Sequence, residues 1–360
     1  MSIALNRPVN PDLKQLTKYL EQIASTGQYT NFGPLHQLLT ERLERFLGVS
    51  NLLLVANGTL ALQVACKALG IQNILTTPFS FVATASSLLW QGCELTFCDI
   101  DEKSYNLCAT KADAALNQYK NIDGVVATHV YGNPCDVKAF ESLSTDKDLK
   151  IVYDAAHAFG VNINGQSVLN FGDASTLSFH ATKLFHTVEG GAIVFKNRKD
   201  LERAKKLINF GYDGKGNIVE TGINAKLNEY QCAVGLTLLE QTDQIIEHRA
   251  ELFSKYRSQL SGLVDFPEWH SGASINGAYM PIRLSSESMR EKVENLLLDN
   301  DIQSRRYFSP SLEKVFENHE YFDGRISNEI TQEVLCLPLH SHMTGADVDK
   351  VIKTVKKSFL

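Results

Sequence analysis

Apolar positions follow two rhythms along the chain. From about residue 11 to 47 they recur at helical spacing, first Leu13, Leu16, Leu20 and Ile23, then Leu35, Leu38, Leu39, Leu43 and Phe46, with a break between Gly27 and Gly33. Leu52 to Val55 then forms a solid apolar run that turns through Asn57-Gly58-Thr59 into a helical stretch from Leu60 to Leu69. Further short runs follow at Ile74-Leu75, Leu95 to Phe97, Gly124 to Ala127, Ile151 to Tyr153, Thr176 to Phe179 and Ala192 to Phe195. Helical patterns separate most of them, at Ala83 to Trp90, Thr110 to Tyr119 and Val137 to Leu143. Strands alternating with helices predict an α/β fold with a mostly parallel sheet covered on both faces, and ligands in such sheets gather at strand ends.

One long helix is expected from Glu229 to Leu260, bridging two units. Beyond about Phe266 come a strand over Tyr279 to Leu284, a helix from Ser288 to Asp299 and a terminal helix from Ala346 to Phe359. The expected division is a large domain over 1–245, including the helical segment 11–47, and a smaller C-terminal α/β domain over 246–360.

Composition narrows the function classes. The chain has 360 residues, a formal charge of −6 and 21% charged residues, which argues against a general nucleic-acid or anionic-membrane binder. No apolar run is long enough to span a bilayer, and the first residues lack a signal-peptide core, so a cytoplasmic protein is expected. Seven cysteines at irregular spacing, without a C-x-x-C pair, read as reduced and mostly buried thiols. His340 and His342 lie two apart with no further ligand cluster, and no metal is expected.

Candidate chemistry centres on Lys183, in the aromatic and polar stretch Ser178-Phe179-His180-Ala181-Thr182-Lys183-Leu184-Phe185. Burial disfavours ammonium, so a lysine in such company is a candidate amine nucleophile. Asp154 lies 29 residues upstream, directly after the run Ile151 to Tyr153 and before the small pair Ala155-Ala156. Together they suggest pyridoxal phosphate (PLP). That cofactor needs a lysine for its aldehyde, an anion beside its ring nitrogen, donors for its phosphate and a surface against its ring. Gly58 and Thr59, at a turn entering a helix, suit the phosphate, although ordinary turn chemistry explains Asn57-Gly58-Thr59 equally well. Ser178 is a further hydroxyl donor or a local backbone partner, Phe81 a stacking face or a core residue, and His157 a ring contact or a structural histidine. Asp154 itself could cap a helix. Tyr29-Thr30-Asn31-Phe32-Gly33-Pro34 is either a turn or a substrate-facing loop.

Four motifs in this order and spacing resemble those of the DegT/DnrJ-type sugar aminotransferases, of fold type I in the aspartate aminotransferase superfamily. They are Asn57-Gly58-Thr59-Leu60-Ala61-Leu62, Asp154-Ala155-Ala156-His157-Ala158-Phe159-Gly160, Ser178 to Lys183 with Glu189-Gly190-Gly191, and Gly222-Ile223-Asn224-Ala225-Lys226-Leu227-Asn228-Glu229. The resemblance covers nearly the whole chain and implies a seven-stranded type of large-domain sheet. It implies that Lys183 carries the cofactor and acts catalytically, that Asp154 meets the ring nitrogen and that His157 lies near the phenolic oxygen. Gly58, Thr59 and Ser178 would hold the phosphate, and Phe81 would stack on the ring. Asn224 would reach the phosphate of a neighbouring subunit, making a homodimer with shared sites. Thr30, Asn31 and Phe32 would face the substrate. Arg305, Arg306 and Tyr307 could bind its nucleotide pyrophosphate, or the arginines could be solvated surface charges. Lys183 stands where dehydrating relatives have histidine. The implied reaction moves an amino group from an amino acid, glutamate foremost, to a keto nucleotide sugar. The pattern looks most like enzymes acting at C4 of dTDP-4-keto-6-deoxyglucose in surface polysaccharide synthesis, including lipopolysaccharide O-antigen. A C3 or UDP-sugar aminotransferase, a sugar dehydratase and a non-catalytic regulator on the same fold stay open.

Overall fold

In the computed structural model, which describes residues 2–360, the strands are β1 (Leu52–Val55), β2 (Asn73–Thr76), β3 (Glu94–Cys98), β4 (Gly124–Thr128), β5 (Lys150–Asp154), β6 (Asn162–Ile163), β7 (Gln166–Ser167), β8 (Ala174–Ser178), β9 (Gly191–Phe195), β10 (Met280–Arg283), β11 (Glu320–Phe322) and β12 (Val334–Leu337). The helices in the first half are α1 (Leu13–Thr26), α2 (Pro34–Leu47), α3 (Gly58–Leu69), α4 (Val82–Trp90), α5 (Ala109–Gln118) and α6 (Val137–Lys147). Those in the second half are α7 (Arg198–Leu207), α8 (Glu229–Leu239), α9 (Thr242–Leu260), α10 (Glu287–Asp299), α11 (Arg325–Glu333) and α12 (Gly345–Lys357).

The main sheet has the order β1-β9-β8-β5-β4-β2-β3-β11. Every neighbouring pair from β8 to β11 is parallel, while β9 runs antiparallel to both β1 and β8. Its central strands are buried along nearly their whole length because helices cover both faces. Strand alternation divides them: Leu52, Leu54, Val125 and Ile151 join the core beneath α2, α5, α6 and α8, whereas Leu53, Val55, Val126 and Val152 join the core beneath α3, α4 and α7.

Three features depart from the sequence pattern. An eighth strand, β11, extends the sheet from the chain's C-terminal third, pairing with β3. The tract 229–260 breaks at Glu240-Gln241 into α8 and α9. α8 is apolar nearly all round and lies inside the first core, whereas α9 shows only one buried stripe. The expected units 1–245 and 246–360 also exchange segments: besides β11, Ile3 pairs with Ile302 and packs into the C-terminal core of α9, α10, α12, β10 and β12.

Loop 27–33 opens where Gly27 caps α1 at φ 65°, in the left-handed region that a side chain disfavours. Glu229, at the start of α8 and 1% exposed, accepts hydrogen bonds from the Leu35 and His36 amides at 2.8 Å each. A Cβ on Gly33 would sit 2.7 Å from that carboxyl carbon, so Gly33 lets the carboxylate reach the start of α2.

Candidate active site

A cavity of about 530 Å³ opens at the C-terminal ends of the parallel strands. Its lining brings together Gly58, Thr59, Phe81, Asp154, His157, Ser178, Lys183 and Tyr307, eight of the expected residues.

Lys183 stands on the turn after β8. Its amide donates to the His180 carbonyl at 2.8 Å, and the Phe179 amide donates to the Gly190 carbonyl at 2.8 Å, closing the base of the excursion before β9. Below it, Phe185 stacks on Phe159 with centroids 4.8 Å apart and meets Phe179 edge-on at 5.0 Å. The aromatic residues around Lys183 therefore anchor the loop that presents it. Burial holds the Lys183 ammonium below its ordinary value of 10.5, against the opposing pull of Asp154 and Tyr307.

That shift carries a stability consequence. A lysine whose folded pKa is depressed penalises folding wherever its ammonium form persists, and the penalty fades as pH rises toward 10.5. Lys183→Met is expected to raise the melting temperature of the cofactor-free protein near about pH 7, the gain shrinking toward alkaline pH. Melting curves of the two proteins across pH check this; a less stable variant at neutral pH would show that the Asp154 attraction outweighs burial.

Asp154 ends β5 and is 6% exposed. Burial raises its pKa, opposed by the Thr84 hydroxyl at 2.7 Å, the Ala156 amide at 3.1 Å and the charge of Lys183. His157 lies parallel to Phe308, with centroids 5.7 Å apart, and edge-on to Tyr279 at 4.7 Å. Burial first, then Lys183 and His129, keep this imidazole neutral by holding its pKa well below 6.5. Its Nδ1 is buried without a protein partner.

At the opposite wall, Gly58 and Thr59 head α3, where Asn57 accepts from the Leu60 amide at 2.9 Å. A Cβ on Gly58 would lie 2.8 Å from Ser178 Cβ, so glycine lets the helix start approach the end of β8. Gly191 similarly admits the Asn57 backbone, 2.7 Å from its missing Cβ. Helix amides, the Thr59 side chain and the Ser178 hydroxyl converge here on space suited to an anion. Phe81 caps α4 and leaves an aromatic face half exposed at the cavity. The glycine-lined cradle, the buried carboxylate and the amine fit PLP.

Other expected residues lie apart. Thr30, Asn31, Phe32, Asn224 and Arg306 are not among the cavity's lining residues. Asn31 and Phe32 take positive φ values of 63° and 59° in the loop before α2. Asn224 is exposed and bridges Asn209, and Arg306 approaches Glu294 at 3.9 Å. Arg305, the neighbour of Arg306, lines the cavity, with its guanidinium 4.9 Å above the Tyr307 ring. Sequence reasoning did not single out Thr84, Tyr279 or Phe308. Thr84 lies three residues after Phe81, one helical turn along, which is the only local signal for any of them.

Residues 12–356 match the DegT/DnrJ/EryC1/StrS aminotransferase family. The chain belongs to this family. It is a PLP-dependent sugar aminotransferase. It is 39% identical over 363 residues to the dTDP-4-amino-4,6-dideoxy-D-glucose transaminase of Shigella dysenteriae, covering 99% of this chain and 98% of that one. The Escherichia coli enzyme of the same name is 34% identical, with 98% and 97% covered. The crystal structure of DesI with its TDP-sugar product superposes with a TM-score of 0.93 at 27% identity, covering 99% of this chain and 92% of that one.

Proposed function

We propose that this aminotransferase aminates C4 of dTDP-4-keto-6-deoxyglucose with glutamate as donor, forming dTDP-4-amino-4,6-dideoxyglucose for a surface polysaccharide such as O-antigen. The observation that carries this reading is the end-to-end similarity to two transaminases of that name, together with a cavity presenting Lys183 and Asp154 from one sheet edge.

The proposed roles follow from placement. Lys183 binds the cofactor aldehyde, Asp154 meets the ring nitrogen, His157 faces the phenolic side and Phe81 the ring. Gly58, Thr59 and Ser178 hold the phosphate. Bound there, PLP supplies an electron sink for the carbanion formed when the donor's α proton leaves. Lys183 Nζ, once released as a free amine, takes that proton, and in the return half-reaction it delivers one to the sugar carbon that receives nitrogen. Its depressed pKa favours the amine form required. Buried Asp154 has two donors holding its orientation, and the aromatic wall of Tyr279, Tyr307 and Phe308 limits water around the reacting groups.

The working form is proposed to be a cytoplasmic homodimer in which Asn224 reaches a neighbour's cofactor phosphate. Exposed Phe210, Tyr212, Ile218, Val219 and Ile223 precede Asn224 in sequence and support a covered face there. All seven cysteines are free, which agrees with a reducing compartment. Among the described residues no helix is long and apolar enough to cross a membrane.

Incubating the protein with glutamate and a panel of keto sugar nucleotides, with products read by mass and NMR, tests the substrate. The expected product is the C4 amine of the dTDP sugar with 2-oxoglutarate released. A C3 amine, exclusive use of UDP sugars, or dehydration without 2-oxoglutarate would replace this reading. Sedimentation of wild type and Asn224→Ala, alongside their cofactor affinities, tests the shared site.

A further inference from the structure

Behind Asp154 lies a chain of three hydroxyls. Thr84 Oγ1 is 2.7 Å from Asp154 Oδ2, Ser80 Oγ is 2.7 Å from Thr84 Oγ1, and Ser80 Oγ is 3.0 Å from Thr128 Oγ1. All three residues are at most 2% exposed. The fold sets this spacing: Ser80 and Thr84 flank the start of α4, and Thr128 ends β4 directly beside Asp154 in the parallel β4–β5 register.

Chemistry fixes the direction of the chain. An ionised carboxylate only accepts, so Thr84 donates to Asp154; the Thr84 oxygen then accepts from Ser80, and Ser80 accepts from Thr128. Aligned hydroxyls polarise one another and strengthen the last bond. Protonating Asp154 on Oδ2 would weaken it as the acceptor at the end of this chain. The other oxygen, Oδ1, accepts the Ala156 amide at 3.1 Å. Each carboxylate oxygen thus has one protein donor and keeps a lone pair for a further partner.

We infer that Thr84, backed by Ser80 and Thr128, is a positioning residue for the reaction: it holds the Asp154 carboxylate anionic and correctly turned toward the PLP ring nitrogen. This inference rests on the assignment of Asp154 to that nitrogen. Thr84 acts through Asp154. Its loss should therefore alter the protonation of the ring before it alters donor binding.

The test uses full-length enzyme loaded with PLP labelled with ¹⁵N in the ring. In wild type the nitrogen signal is expected to report a protonated ring across neutral pH. In Thr84→Val, a near-isosteric change, the proton should be lost at lower pH, while Thr84→Ser should restore the wild-type titration. The kcat for the glutamate half-reaction should fall roughly tenfold to hundredfold in Thr84→Val, as expected for one hydrogen bond to a charged group, with KM changed no more than about twofold. A wild-type nitrogen titration in Thr84→Val overturns the inference, whatever happens to kcat. If that variant fails to fold, Ser80→Ala and Thr128→Val should shift the titration in the same direction by less, and an unchanged titration in both overturns it. Failure of the underlying assignment looks different, because Asp154→Asn would then leave the ring nitrogen protonated as in wild type.

Discussion

Lys183→Ala should abolish transamination, lowering turnover by at least about 10⁴-fold while leaving the fold intact. Loss of a positioned acid and base alone costs roughly 10²–10⁴-fold, and this substitution also removes the amine that binds the cofactor aldehyde. Folding should be spared, because Lys183 is a partly buried cation whose ammonium form is already disfavoured, and the loop is held by Phe159, Phe179 and Phe185. Three measurements check this together: visible absorbance of the cofactor-loaded protein, mass of the peptide trapped by borohydride, and 2-oxoglutarate formed from glutamate. Wild type should be trapped at Lys183 and the variant should not. Trapping at another lysine, or substantial turnover in Lys183→Ala, would remove this residue from the chemistry. Arginine at 183 should not rescue, since guanidinium cannot provide a neutral amine at working pH.

Asp154→Asn is expected to have the next largest effect. The substitution keeps shape and can keep the Ala156 contact, yet removes the charge proposed to hold the ring nitrogen protonated. Removing one partner of a buried ion pair typically costs about 3–5 kcal/mol, or roughly 10²–10⁴-fold in rate if that pair is made in the transition state. The loss should appear in kcat for both half-reactions, with only modest change in KM for glutamate. Cofactor-free Asp154→Asn should not lose stability, because burial already raises the Asp154 pKa and charging that carboxyl opposes folding as pH rises above 3.8. Stopped-flow absorbance for each half-reaction, paired with melting curves of the cofactor-free proteins, separates the catalytic effect from the structural one. A variant that melts earlier and reacts normally would make Asp154 a structural residue.

The residues with these effects stand out in the sequence because their chemistry is unusual beside their neighbours. Asp154 interrupts a buried apolar run at its end, and Lys183 interrupts an aromatic one. The phosphate cradle was less distinctive by itself, since Asn57-Gly58-Thr59 is ordinary turn chemistry. Its significance comes from Ser178 and Gly191, whose backbones approach it through the sheet. Helix α7 was legible but passed over, since Leu201, Ala204 and Leu207 recur at helical spacing in an otherwise charged stretch. Strand β11, Glu320-Tyr321-Phe322, is short and incompletely buried; it is a strand because the edge of β3 offers it hydrogen bonds.

By itself, the sequence determined the alternation of strands and helices, the two-sided burial of the central strands, and the pairing of an unusual lysine with an unusual carboxylate. These follow from local hydrophobic periodicity and from side-chain types that are costly to bury. The tertiary structure decided which residues share the cavity. It brought Tyr279, Arg305, Tyr307 and Phe308 from beyond α9 to the same wall as His157, and it placed Thr84 on Asp154 across 70 residues of chain. It also left Arg306, Asn224 and the loop of Thr30, Asn31 and Phe32 outside that wall. Those placements depend on sheet order, on the return of the C-terminal segment to the main sheet and on helix packing, which are long-range contacts without a local signature in the chain.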